Sequence, residues 1–130
     1  MSIEDPQEGM IVEKVGRTTN HTTGKIVGRE LVPIRISVSA PTYNFNANIW
    51  FHGVFIVHGE NDVFSDQGDS GSLITTRNSN GNMASIGLLF AGGPDSRAPG
   101  NLRTLILPLR PILERLGVEL VGGLNVPSNP

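Results

Sequence analysis

The residues with the most chemical content lie in one run, Asp66-Gln67-Gly68-Asp69-Ser70-Gly71-Ser72-Leu73. A serine works as a nucleophile when its hydroxyl stands clear of the backbone. Amide N–H groups beside it must then receive the negative oxygen that forms on the attacked carbonyl. Glycines around Ser70 permit the tight backbone bend and the close approach of a substrate. Gly68 can turn its N–H inward with that of Ser70, and a buried Asp69 can fix that shape through a charge-assisted hydrogen bond. An ordinary glycine turn between two strands accounts for the same five letters, so the run alone leaves both readings open.

Other reactive groups are few. There is no cysteine among the 130 residues, which removes disulfides, thiolate catalysis and zinc–thiolate sites. The histidines are His21, His52 and His58. His21 lies in a threonine-rich turn. His52 and His58 flank an apolar run six residues apart, which puts them on one side of a regular strand unless Gly53 breaks the phase. All three read as surface or loop histidines. Asp62, Asp66 and Asp69 have the spacing of hard-metal ligands without the pattern of an EF-hand loop, and read as solvated loop carboxylates. Asn20-His21-Thr22 is a formal glycosylation sequon, discounted for want of a signal peptide. Gly92-Gly93-Pro94 lacks the Gly-Lys-Ser/Thr of a phosphate loop. Arg17 and Arg29 read as solvated or paired surface residues, and Trp50 and Phe51 as core or interface packing. No metal or organic cofactor is implied.

The composition sets limits. The length fits one compact domain, and the net charge of −2 comes from mixed signs with no basic block, which argues against a nucleic-acid partner. No apolar run approaches the ~18 residues of a membrane span. The polar start, Met1 to Pro6, is not a signal peptide. With the absence of cysteine, this leans the expected location toward the cytoplasm.

Sixteen glycines, nine prolines and only 17% charged residues point to short strands joined by turns. Strands are expected at Met10–Val15, Lys25–Val27, Val32–Val38, Ser72–Thr76, Met83–Ala91 and Leu102–Leu107, with a short one at Val63–Ser65. Ile49–His58 reads as a long run broken at Gly53, and Ala40–Asn48 as a loop. Asn78–Asn82 is a hairpin turn. Leu109, Ile112, Leu113 and Leu116 have helical spacing, with Gly117 as the stop. The result is an all-β, small antiparallel barrel or sandwich of six or seven strands with a short C-terminal helix.

Gly68-Asp69-Ser70-Gly71-Ser72 resembles the nucleophile motif of trypsin-like, chymotrypsin-fold serine peptidases. Val12-Glu13-Lys14-Val15-Gly16-Arg17-Thr18-Thr19 with Thr23-Gly24 is similar to the first strand and turn of that family's second barrel. Ser85 through Gly93 is similar to the strand that lines its substrate cleft. The resemblance covers residues 10 to 116 and implies a single six-stranded antiparallel barrel like the second barrel of the chymotrypsin fold. A tail occupies 1–9, the barrel 10–121 and a second tail 122–130. It implies Ser70 as nucleophile, the N–H groups of Gly68 and Ser70 as oxyanion hole, and Asp69 as structural support. Phe90, Ala91 and Gly92 would pair with the backbone of a peptide or protein substrate. The side-chain pocket would be walled by Phe64–Gln67 and Phe90–Gly93, with its base near Phe64 and Ser65. No acidic residue matches the basal position that selects Lys or Arg, which favours an apolar or small side chain there.

In this family the general-base histidine and its aspartate precede the serine and belong to a first barrel. The sequence before Ser70 is too short for another barrel of roughly 100 residues. The chain is therefore expected to be the nucleophile-bearing half of a serine endopeptidase, inactive alone. The missing N-terminal barrel would come from the same longer chain or from another chain. The alternative is a non-catalytic single-barrel module that binds peptides and keeps the motif as scaffold.

Overall fold

The computed structural model describes residues 2–40, 42 and 44–116. In chain order the strands are β1 (Ser2–Ile3), β2 (Ile11–Gly16), β3 (Asn20–Arg29), β4 (Ile34–Ala40), β5 (Phe45–Phe51), β6 (Phe55–Gly59), β7 (Leu73–Arg77), β8 (Met83–Pro94) and β9 (Leu102–Pro108). A 3-10 turn covers Pro99–Asn101, and helix α1 spans Leu109–Leu116. The order β8-β7-β2-β3-β6-β9 closes through an added β8–β9 pairing. The result is the expected closed, six-stranded antiparallel barrel with one short C-terminal helix.

Alternation decides which side chains enter the barrel. On β2 the inward set is Val12, Lys14 and Gly16, while Ile11 and Val15 face solvent. The inward residues Val12, Ile26, Val57, Ile74, Ile86, Leu89 and Ile106 form one cluster with Phe64. Branched aliphatic side chains suit a pleated, close-packed interior. Closure leaves few free strand edges. Helix α1 buries Leu109 and packs against β8, the use its apolar spacing suggested.

Three sequence expectations change. The first nine residues are not a bare tail: β1 pairs in parallel with Ala84 and Ser85 of β8. Arg110 holds this arm, donating from Nη2 to the Ile3 carbonyl at 2.8 Å and from Nε to Asp5 Oδ1 at 3.1 Å. Part of the expected loop at Ala40–Asn48 is strand, because β4 and β5 form a separate antiparallel hairpin with Ile34 opposite Phe51. Val63–Ser65 is not a strand; Phe64 anchors the approach to Ser70 from inside the core instead.

Gly53, at φ +71°, separates β5 from β6 and breaks the phase between His52 and His58. Trp50 is 58% exposed, so it is not a core residue, whereas Phe51 packs on Phe90 with ring centroids 5.0 Å apart. The helix stop at Gly117 and the segment 122–130 lie outside the described residues. Among the described residues, no helix is long and apolar enough to cross a membrane.

Candidate active site

Ser70 sits in the loop between β6 and β7, and three anchors shape that loop. Phe64, fully buried, fixes its entry. Leu89 of β8 fixes its exit: its carbonyl accepts from Gly71 N–H at 2.7 Å, and its N–H donates to the Ser72 carbonyl at 3.0 Å. Asp69 fixes the middle. Its Oδ1 accepts from the N–H of Thr18 (2.7 Å) and Thr19 (3.2 Å). Its Oδ2 accepts from Thr19 Oγ1 (2.6 Å) and Asp66 N–H (2.9 Å). The threonine-rich turn after β2 is thus the far half of the loop's support, some fifty residues away in sequence. Thr18 adds a fifth tie by donating from Oγ1 to the Gln67 carbonyl at 2.6 Å.

A buried carboxylate needs a cation or dense hydrogen bonding. Asp69 has both, and both it and Lys14 have wholly buried side chains. Lys14 places Nζ 3.8 Å from Asp69 Oδ2, 2.5 Å from Thr19 Oγ1, which accepts from it, and 2.9 Å from the Asn20 carbonyl. Burial pushes the Asp69 carboxyl upward. The hydrogen bonds from Thr19 Oγ1 and from the N–H groups of Asp66, Thr18 and Thr19 together outweigh it, so the carboxyl lies well below the usual carboxylate range. Burial lowers the Lys14 amine, and the Asp69 charge and hydrogen bonding offset part of that. The inward alternation of β2 makes Lys14 the internal counter-charge. Nothing in its local sequence marks it, since charged residues are seldom fully buried unless paired.

The loop spends its amides in a definite pattern. Asp66 N–H goes to Asp69 Oδ2, and Gln67 N–H to Asp66 Oδ1 at 2.7 Å. Asp69 N–H goes to the Asp66 carbonyl, Gly71 N–H to Leu89, and Ser72 N–H to the Asp69 carbonyl. Among the described residues the N–H groups of Gly68 and Ser70 have no acceptor, and neither has the Ser70 hydroxyl a partner. Ser70 is exposed and Asp69 beneath it is buried. A free hydroxyl and two free amides, in a stretch from Asp66 to Ser72 whose other amides are committed, can receive an attacked carbonyl and its oxyanion.

Gly68 has φ +101°, and a Cβ there would run into Thr18 Oγ1. Gly68→Ala is expected to lower stability by about 1–3 kcal/mol from backbone strain. It should also shift the amide resonances of Ser70 and Thr18. A thermal melt and an amide spectrum check both, and an unchanged Ser70 amide contradicts the role given to this glycine.

A cavity of about 280 Å³ adjoins Ser70. The loop lends it Ser65, Asp66, Gln67 and Ser70, and strands β8 and β9 lend it Leu89, Ala91, Gly92 and Leu102. Of the residues expected in its wall, Gly93 does not line it, and two others are turned elsewhere. Phe64 is turned into the barrel core, and Phe90, the extra residue at a bulge between Leu89 and Ala91, packs against Phe51. Leu102 and Thr104 were not anticipated. Thr104 Oγ1 hydrogen-bonds to Ser65 Oγ, both residues being buried. Beyond Leu89, strand β8 pairs with β9 on one side, while β7 stops at Leu73 opposite Leu88. Among the described residues, the other edge of Ala91–Gly93 therefore carries no strand.

The histidines do not join this site. His21 pairs with Glu13 (2.9 Å) and His58 with Asp95 (2.9 Å). The N–H of Arg97 and then His58 hold the Asp95 carboxyl down to about 2. His52 is exposed and lines a larger cavity of about 790 Å³ between residues 5–6, the β5–β6 bend and α1. That larger cavity is mostly apolar and does not include Ser70.

The family model described as Peptidase family S64 matches residues 1–122. No curated protein matches the chain. Among solved structures, the chymotrypsin of Cellulomonas bogoriensis is similar at a TM-score of 0.61 and 22% identity, over 92% of this chain and 54% of that one. Protease A of Thermobifida fusca gives 0.63 and 22%, over 93% and 53%. A Nocardiopsis protease gives 0.57 and 19%, over 90% and 50%. This is a likeness of fold, that of a chymotrypsin-like barrel, and the chain spans about half the length of each solved chain.

Proposed function

Because the chain belongs to peptidase family S64, we propose that it is the nucleophile-bearing half of a serine endopeptidase. The observation that carries this reading is the alternation of committed and free amides around an exposed Ser70. Ser70 Oγ attacks the scissile carbonyl, and the oxyanion of the tetrahedral intermediate is held by the N–H groups of Gly68 and Ser70. Collapse of that intermediate expels the amine and leaves an acyl group on Ser70, which water then removes. Asp69, with Lys14 behind it, keeps the two amides in place and touches no reacting atom. The free edge of Ala91–Gly93 supplies main-chain donors and acceptors to an extended peptide.

The proton of Ser70 must go to a base. His21 and His58 are engaged with Glu13 and Asp95. The base and its orienting carboxylate belong to a first barrel, in keeping with the half-length coverage of the similar structures. That barrel is supplied upstream in a longer chain or by another chain. A fluorophosphonate probe tests the reading. The 130-residue chain alone is expected to leave Ser70 unlabelled, and the same chain joined to its upstream half to label it. If the joined form stays unlabelled yet still binds extended peptides, the barrel is a binding module and the peptidase reading is lost.

A further inference from the structure

We infer that the cavity beside Ser70 takes an uncharged aliphatic side chain from the residue whose carbonyl Ser70 attacks. This deepens the peptidase reading and rests on it. The most buried lining residues are Ser65, 2% exposed, and Leu89, 3% exposed. Phe64, which precedes Ser65, points away into the core and leaves Ser65 as the polar end of the cavity. The Ser65 hydroxyl is bonded to that of Thr104, so that end is neutral and already has a partner. Leu89, Ala91 and Leu102 supply an apolar wall, Gln67 and Ser70 add neutral polar groups, and Gly92 contributes no side chain.

Charge is what this lining refuses. An ammonium or carboxylate entering it loses water and meets no fixed counter-charge at depth, a cost of several kcal/mol for an unpaired ion. Asp66 is the one ionisable residue of the lining, and it is exposed, with Oδ1 accepting from Gln67 N–H. An exposed carboxylate attracts a cation weakly because water and salt screen it. It adds repulsion against an acidic side chain. An aliphatic group gives up no hydration and gains roughly 25 cal/mol for each Å² it buries.

The test uses the full chain and three free peptide acids, acetyl-Ala-Ala-Leu, acetyl-Ala-Ala-Lys and acetyl-Ala-Ala-Glu, titrated while the amide resonances of Gly68, Ser70 and Gly92 are followed. The leucine peptide is expected to move all three and to bind at least about tenfold more tightly than either charged peptide. In Leu102→Asp, which sets a carboxylate in the wall, the order should turn toward lysine. Equal binding by the three peptides overturns the specificity and leaves the peptidase site standing. Tighter binding of the lysine peptide by the unaltered chain overturns it in favour of Asp66. If no peptide moves those amides, the site itself is misassigned and the inference falls with it. Should Leu102→Asp not fold, the unaltered chain decides alone.

Discussion

Asp69→Ala is expected to cost about 3–5 kcal/mol, because it strands the buried Lys14 ammonium and four donors at once. A domain of this size has roughly 5–15 kcal/mol in all, so the variant should be at the edge of folding. Lys14→Met should cost less. Nζ stands 3.8 Å from the carboxylate, whose four hydrogen bonds survive the change. The double variant should cost less than the two single losses added together, since neither charge is then left alone. Urea titrations of the three variants give these differences directly.

The sign of the pH effect follows from the same contacts. The folded carboxyl titrates below the ordinary range of about 4, so its contribution is complete above that pH and fades as the solution is acidified through and below it. Asp69→Asn should flatten the loss of stability between about pH 4 and pH 2. An acid profile identical to that of the unaltered chain would contradict the placement of this carboxylate.

Ser70→Ala pairs a large functional effect with a small structural one. The side chain is exposed and has no partner among the described residues. Its removal should change stability by no more than about 0.5 kcal/mol. In the two-barrel enzyme the same change should lower kcat roughly 10⁴-fold or more, with KM little altered, because only transition-state bonds are lost. Steady-state kinetics beside a melting curve separate the two. A comparable loss from Ser72→Ala with Ser70→Ala active would move the nucleophile. The Ser72 hydroxyl donates to the Asp69 carbonyl at 2.6 Å, so that variant should instead lose stability.

What the sequence made legible was whatever is local. The bend at Gly68–Gly71, the apolar strands, and the helical spacing from Leu109 onward each depend on neighbours a few residues away. The parts that escaped are non-local pairings of small or unremarkable residues. Lys14 looks like one more charged residue until β2 pairing turns it inward to Asp69, 55 positions later. Thr104 gains its meaning only from Ser65. The family resemblance puts Phe64 at the base of the pocket, but the ring belongs to the core cluster with Val57 and Ile26. The β4–β5 hairpin was half hidden because Ala40–Asn48 is rich in turn-forming residues. The free amides of Gly68 and Ser70 bear on the catalytic roles read from the motif, and the variants above are what decide those roles.

The vacant edge at Ala91–Gly93 also bears on how the molecule behaves in solution. An unpaired strand edge invites other chains to stack on it. Here the invitation is short: Pro94 has no N–H to donate, and β7 and the Ser70 loop occupy the edge up to Leu89. A stretch this brief is too small to nucleate sheet stacking between copies, so the barrel can hold a docking edge open without inviting its own aggregation.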